Sequence, residues 1–243
     1  MPREFELTFE APVDATPDEI WQAISTGPGT DSWFMGRSEF EAREGGRGTF
    51  QMGGHTEGST VTAYEPGRRF GYRSDTGDDG RFMAFEFLIE GRDQGSTTLR
   101  LVHSGFLGDD WENEYEAMAQ GDAMYFHKLV TYLTHFPGRI STYNMFLVQP
   151  AGLDQAWAAL RRVAGLGEHV AEGDKALVQV PGLPPVTGVV DYVRPEMLGI
   201  RTDAGMYRFL HSRDFLVAEY HDFAGELDGE TVERSWKEWL AAV

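Results

Sequence analysis

The 243-residue chain contains no cysteine, which excludes disulfides, thiol nucleophiles and thiolate-ligated metals and suits a reducing compartment. It also lacks any apolar run near the roughly 20 residues that a membrane-spanning helix needs. Met1 to Ala15 carries Glu4, Glu6, Glu10 and Asp14, where a secretory signal requires a basic start and an apolar stretch. These absences read as a cytoplasmic protein with no membrane partner. Positive charge is scarce as well: 21 Lys and Arg stand against 39 Asp and Glu, a formal net charge of -18. Such a surface repels phosphate backbones and anionic lipid. Arg68-Arg69 and Arg161-Arg162 are isolated pairs rather than a patch, so nucleic acid is not an expected partner.

Catalytic signatures are missing too. The seven histidines, at 55, 103, 127, 135, 169, 211 and 221, show no H-E-x-x-H or comparable spacing, and no metal is expected. No G-x-S-x-G elbow occurs. Gly45-Gly46-Arg47-Gly48 precedes a strand pattern rather than a helix, so it reads as a hairpin turn and not a phosphate cradle. The acids of Asp109 to Glu114 open a helix, where its dipole favours negative charge. No cofactor is implied.

What the chain has is an internal repeat. Val61 to Asp75 lies over Val189 to Asp203 at an offset of 128, and Asp18 to Ile24 lies over Asp154 to Leu160 at an offset of 136. A period this long signals a duplicated domain rather than a solenoid. The hydrophobic share of 41%, with 13% aromatic, supplies each half with a core. The expected domains are residues 1–138 and 139–243, the second a shorter and divergent copy.

Phe5, Leu7 and Phe9 alternate with charged residues as in a strand with one buried face. Thr16-Pro17-Asp18-Glu19 then starts a helix with Ile20, Trp21, Ala23 and Ile24 as its apolar stripe. Gly27-Pro28-Gly29 is expected to end that helix, followed by a helical turn over Thr30 to Met35 that presents Trp33 and Phe34. Six strands follow: Ser38–Arg43, Gly48–Gly53, Ser59–Glu65, Arg69–Ser74, Arg81–Glu90 and Thr97–His103. They are divided by turns that include Gly53-Gly54, Pro66-Gly67 and Asp93-Gln94-Gly95. From Asp110 to Phe136 the period becomes 3.6, giving a long helix closed by Pro137-Gly138. In the second half the expected elements are a strand from Ser141, a helix over Leu153–Val163, five strands between Lys175 and Phe223, and a helix over Gly229–Leu240.

Strand, two helices, six strands and a long helix form the order of a helix-grip fold, an α+β architecture in which a curved antiparallel sheet wraps its last helix. With Ala11-Pro-Val-Asp-Ala-Thr-Pro-Asp-Glu-Ile-Trp21, Gly45-Gly-Arg-Gly-Thr-Phe50, Val61 to Tyr72 with Glu65-Pro66, and Thr97 to Phe106, residues 6–136 resemble the SRPBCC (Bet v 1/START-like) superfamily. Within it they are similar to the group typified by the C-terminal domain of the activator of Hsp90 ATPase. The resemblance implies two tandem helix-grip units, the second reduced, and a cavity between sheet and long helix that holds a small apolar or amphipathic molecule.

By strand alternation the lining of that cavity is expected to include Phe50, Met52, Phe70, Tyr72, Met83, Phe85, Phe87, Leu99, Leu101 and His103, with Met118 and Tyr125 from the helix and Trp33 and Phe34 at the mouth. Where family members often carry Gly-Trp in the last helix, this chain reads Gly121-Asp122. Asp122 falls on the apolar stripe, where an unpaired carboxylate is costly, and His103 is its expected partner ahead of Arg73 and Arg81. Three functions follow in order. The first is ligand binding; the second is a lyase or cyclase using His103 and Asp122, since some family members dehydrate or cyclise polyketides; the third is a co-chaperone-like interaction module. A homodimer is compatible with each.

Overall fold

β1 (Arg3–Val13) buries Phe5, Leu7 and Val13 and turns Glu4, Glu6 and Glu10 to solvent. In this computed structural model the described residues are 3–91, 97–150, 153–212, 215–226 and 228–242; the expected turn at Asp93-Gln94-Gly95 lies outside them. α1 (Pro17–Ser25) starts with a reciprocal cap: Thr16 Oγ1 accepts the Glu19 N–H at 3.2 Å, and the Glu19 carboxylate accepts the Thr16 N–H at 2.8 Å. Gly27-Pro28-Gly29 does not simply end this helix. It opens α2 (Gly27–Asp31), where Thr26 Oγ1 accepts the Gly29 N–H at 3.1 Å and Pro28 occupies a first-turn position whose N–H is not needed. The expected helical turn therefore begins three residues early, because a proline that stops one helix equally starts the next.

Then come β2 (Arg37–Phe40), β3 (Arg47–Met52), β4 (His55–Glu65), β5 (Arg69–Ser74), β6 (Met83–Gly91), β7 (Thr97–Leu107) and α3 (Trp111–His135). The sheet order is β1-β7-β6-β5-β4-β3-β2, all antiparallel. The first strand thus pairs with the last, from Arg3↔Leu107 to Val13↔Thr97. α1 packs on β5 and β6, and α3 on β1 and β7. This places two helices over one concave face, at different ends of it.

The chain divides into two compact units, Met1–Ile140 and Ser141–Val243. The second runs β8 (Tyr143–Pro150), α4 (Leu153–Val163), β9 (Lys175–Val178), β10 (Val186–Arg194), β11 (Met197–Thr202), β12 (Gly205–Ser212), β13 (Phe215–Asp222) and α5 (Gly229–Ala241). Its sheet order, β8-β13-β12-β11-β10-β9, repeats the winding of the first with one strand fewer. Its last helix has 13 residues against 25. In both units the hairpin at the repeat carries a bulge, between Val61 and Ala63 in one and Val190 and Tyr192 in the other. At the 128-residue offset these lie one position apart, so the two α+β units are helix-grip folds in tandem, the second reduced.

Candidate functional site

The inner face of the first sheet is unevenly filled. At the end covered by α1 and α2 it is solid: Phe70 and Leu99 are 0% exposed, Phe87 3% and Leu101 4%. Trp21 meets Tyr64 and Phe70 edge-on, and Trp33 meets Phe87. Trp33 is expected at a mouth, but it is itself buried, with its Nε1–H donating to the Ala23 carbonyl at 2.9 Å. Start signals that bring α2 in early fold the tryptophan back under α1. Phe70, Phe87, Leu99 and Leu101 are thus packed core.

Toward the other end the same face loosens. Phe50, Met52, Tyr72, Met83 and Phe85 point the same way by alternation yet remain only half-buried, as do Phe34, Met118 and Asp122. Tyr125 is buried against Phe34, with centroids 4.8 Å apart. A Cβ added at Gly121, between Met118 and Tyr125 on the same helical stripe, would meet no heavy atom within 4 Å. The first half of α3 still packs Trp111, Met118 and Ala119 against Phe5 and Leu7 of β1 and Leu107 of β7.

Three strands lay a ladder of rings across this region. Register sets Tyr72 opposite Phe85 and Phe85 opposite His103. Their rings stack at 5.1 Å and 24°, and at 4.0 Å and 19°. Phe5 closes the row edge-on to His103 at 5.1 Å. Stacked and edge-on pairs of this kind each contribute about 0.5–1.5 kcal/mol beyond area burial, which orders the imidazole without a polar contact. Its Nδ1 lies 2.6 Å from Asp122 Oδ2, with His103 4% exposed. A carboxylate has no hydrogen to give, so the Nδ1–H donates to it. Nε2 is buried and has no hydrogen-bond partner.

Tyr72 completes the set. Burial, and then the charges of Asp122 and Glu57, hold its phenol pKa above the ordinary value, so it stays a neutral O–H donor. The weaker candidates for Asp122 are engaged elsewhere: Arg73 lies over the Phe82 ring, and Arg81 pairs with Asp79 at 2.6 Å and Glu114 at 3.6 Å. Phe5 was not anticipated at the site. Its alternation marks an inward face, but only the pairing of first and last strands brings it to His103. An open groove of about 610 Å³ beside α2, lined by Asp31, Arg37 and Thr49 among others, carried no sequence signal either. Among the described residues no group of three or more His, Asp or Glu is placed to hold a metal.

The second unit shows what the corresponding space looks like when filled. Phe70 pairs with Phe87, and its repeat partner Leu198 pairs with Phe209; counting on, Tyr207 and Tyr220 stand where Phe85 and His103 stand. The two tyrosines stack at 4.3 Å, and Trp236 of α5 lies over Tyr207 at 5.9 Å and Phe209 at 5.6 Å, itself 0% exposed. Burying an indole removes about 150–250 Å² from water, or about 4–6 kcal/mol at 25 cal/mol per Å². In the first unit Trp33 lies over Phe87, the counterpart of Phe209, at 6.2 Å.

Residues 14–134 match the family model described as Activator of Hsp90 ATPase homolog 1-like protein. No curated protein matches the sequence. Among solved structures, one similar to this chain is a protein of Mesorhizobium loti, at 22% identity and a TM-score of 0.46, covering 53% of this chain and 96% of that one. A putative protein of the dynemicin biosynthetic locus is 16% identical, with a TM-score of 0.46, and covers 97% of this chain and 96% of its own. The di-domain ARO/CYC BexL of the BE-7585A biosynthetic pathway is 13% identical, with a TM-score of 0.47, covering 98% and 94%.

Proposed function

Because the first unit belongs to the Activator of Hsp90 ATPase homolog 1-like family of helix-grip proteins, we propose that it binds a small apolar or amphipathic molecule between the open end of its sheet and the first half of α3. The observation that supports this most directly is the pairing of half-buried aromatic and Met side chains with a buried, unpartnered His103 Nε2. Ligand sites combine these features, an apolar lining and a few convergent polar groups. Trp236 closes the equivalent space in the second unit, so the role falls to the first.

The His103–Asp122 contact also supports a second reading. A carboxylate that fixes the imidazole tautomer makes Nε2 a competent proton acceptor, as a lyase or cyclase requires. The interaction-module reading has less behind it: among the described residues of the first unit, Tyr115 and Ile140 are the large apolar side chains exposed, and they are isolated in sequence.

The test is native mass spectrometry of the full chain, with and without denaturation, followed by titration with N-phenyl-1-naphthylamine, whose emission rises in apolar surroundings. A co-purifying small molecule, or saturable dye binding that it displaces, supports the proposal. If the dye does not bind at any concentration up to its solubility limit and no adduct mass is seen, the binding reading fails.

A further inference from the structure

We propose that the second unit carries a site for an organic carboxylate on the outer face of its sheet, with Lys175 and Arg201 as the anion contacts. Register sets Lys175 opposite Val189 and Val189 opposite Arg201. Residues directly opposite one another share a face of the sheet, and here it is the face turned away from the core, which takes Ala176, Val178 and Ile200 instead. Adjacent strands lie about 4.8 Å apart, so the two cations stand on the order of 10 Å apart at their backbones. Both long side chains can converge above Val189. An open groove of about 480 Å³ lies there, and Leu177, Thr187 and Asp203 share its lining. Among the described residues neither Lys175 nor Arg201 has an ion pair, a side-chain hydrogen bond or an aromatic contact, and the Arg201 Nε–H is buried with no acceptor. In a chain with 39 acids to 21 bases, two cations left without an acid on one groove mark a place for an outside anion.

The first unit shows the same row with its cations engaged. Arg47, Arg73 and Asp75 precede Lys175, Arg201 and Asp203 by 128 residues each, and Arg47 and Arg73 flank Thr60 as their counterparts flank Val189. There Arg47 takes Asp75 in a bidentate pair at 2.8 and 2.9 Å, and Arg73 lies over the Phe82 ring at 4.6 Å. In the second unit a lysine, which lacks the planar fork, stands where the fork held the aspartate, and a valine stands between the cations. Both changes open the row to an anion with an apolar body. A planar carboxylate suits a guanidinium, which binds it through two parallel N–H bonds. The Lys175 ammonium adds a point charge, while Val189 and the 38%-exposed Leu177 offer an apolar floor. Asp203 leaves the groove with two positive charges against one negative, which favours a monoanion over a dianion.

The test is titration of the full-length, ¹⁵N-labelled protein with sodium benzoate, benzamide and inorganic phosphate at constant ionic strength, followed by NMR. Benzoate and benzamide share a ring and a planar head group and differ in charge. Benzoate is expected to shift the Val189 and Arg201 amides and the Arg201 Nε–H saturably, and benzamide to bind roughly 10-fold more weakly, about 1.4 kcal/mol. Arg201→Gln should cost benzoate about 10-fold and benzamide nothing. Lys175→Gln, at an exposed side chain, repeats that test should Arg201→Gln perturb the sheet. The Thr60 and Arg73 amides of the first unit are the internal control and should stay still. Equal affinities for benzoate and benzamide, no saturable shift at Val189 and Arg201, shifts of the same size at Thr60 and Arg73, or full benzoate affinity in both variants overturn the site. Phosphate binding more tightly than benzoate overturns the carboxylate assignment. None of these outcomes bears on the ligand proposed for the first unit.

Discussion

Gly121→Leu separates a hollow first unit from a solid one by the sign of its effect. Gly121 lies inside α3, where glycine is about 0.8–1 kcal/mol less favourable than a good helix former. Its Cβ position touches no atom within 4 Å, so a side chain there starts in open space, and a leucine is expected to fit without overpacking. The expected result is a gain of about 0.8 kcal/mol in the free energy of opening, read from hydrogen exchange of α3 and β7 amides. Were the space filled, the added side chain would cost about 1–3 kcal/mol, outweighing the propensity gain. Because leucine would enter the stripe between Met118 and Tyr125, it should also weaken N-phenyl-1-naphthylamine binding at least several-fold. Destabilisation refutes the hollow. Stabilisation with unchanged dye affinity refutes the placement of the ligand under α3.

The His103–Asp122 pair should behave as a unit. His103→Phe leaves a half-buried carboxylate without its donor and Asp122→Ala leaves a buried imidazole N–H unpaired, so the double variant should lose about 1–3 kcal/mol less than the sum of the singles, by amide exchange in β7; additivity within about 0.5 kcal/mol would dissolve the pair. Trp236→Ala should cost the second unit about 3–5 kcal/mol, visible as faster exchange in β12 and β13. Asp191→Ala strips the bidentate partner, at 2.8 and 3.0 Å, from Arg208, which is 1% exposed, and should cost about 3–5 kcal/mol in the same strands. Burial raises the Asp31 carboxyl to about 6, against the Ser38 N–H that lowers it. The unfolded chain therefore ionises first, and stability falls as pH rises from about 4 to about 6; Asp31→Asn keeps an acceptor for Ser38 and should flatten that slope in urea titrations at stepped pH.

Much of the fold was legible because it rests on short-range chemistry. Alternation in β1, the Thr16 cap and the change to a 3.6 period after Asp110 are each local consequences of side-chain size and backbone hydrogen bonding. Where local rules conflict, the reading slips. Gly27-Pro28-Gly29 satisfies both a stop and a start, and only packing decides that α2 begins there and carries Trp33 inward. Alternation likewise marks a face without saying how far a helix stands from it. Phe87 and Phe85 share a strand and a face, yet α1 covers the first, while the second remains half-buried.

Composition, periodicity and the repeat by themselves determined two acidic helix-grip units without thiol chemistry, and they singled out Asp122 as a carboxylate on an apolar stripe in need of a donor. What only the tertiary structure decided is which side chains meet in each interior: Trp236 lies buried over Tyr207 and Phe209 in one unit, while in the other Asp122 of α3 reaches His103 of β7 at 2.6 Å. The reason is physical. Capping and periodicity act over a few residues, but packing is a property of surfaces that meet from distant parts of the chain, and no window of sequence contains both walls.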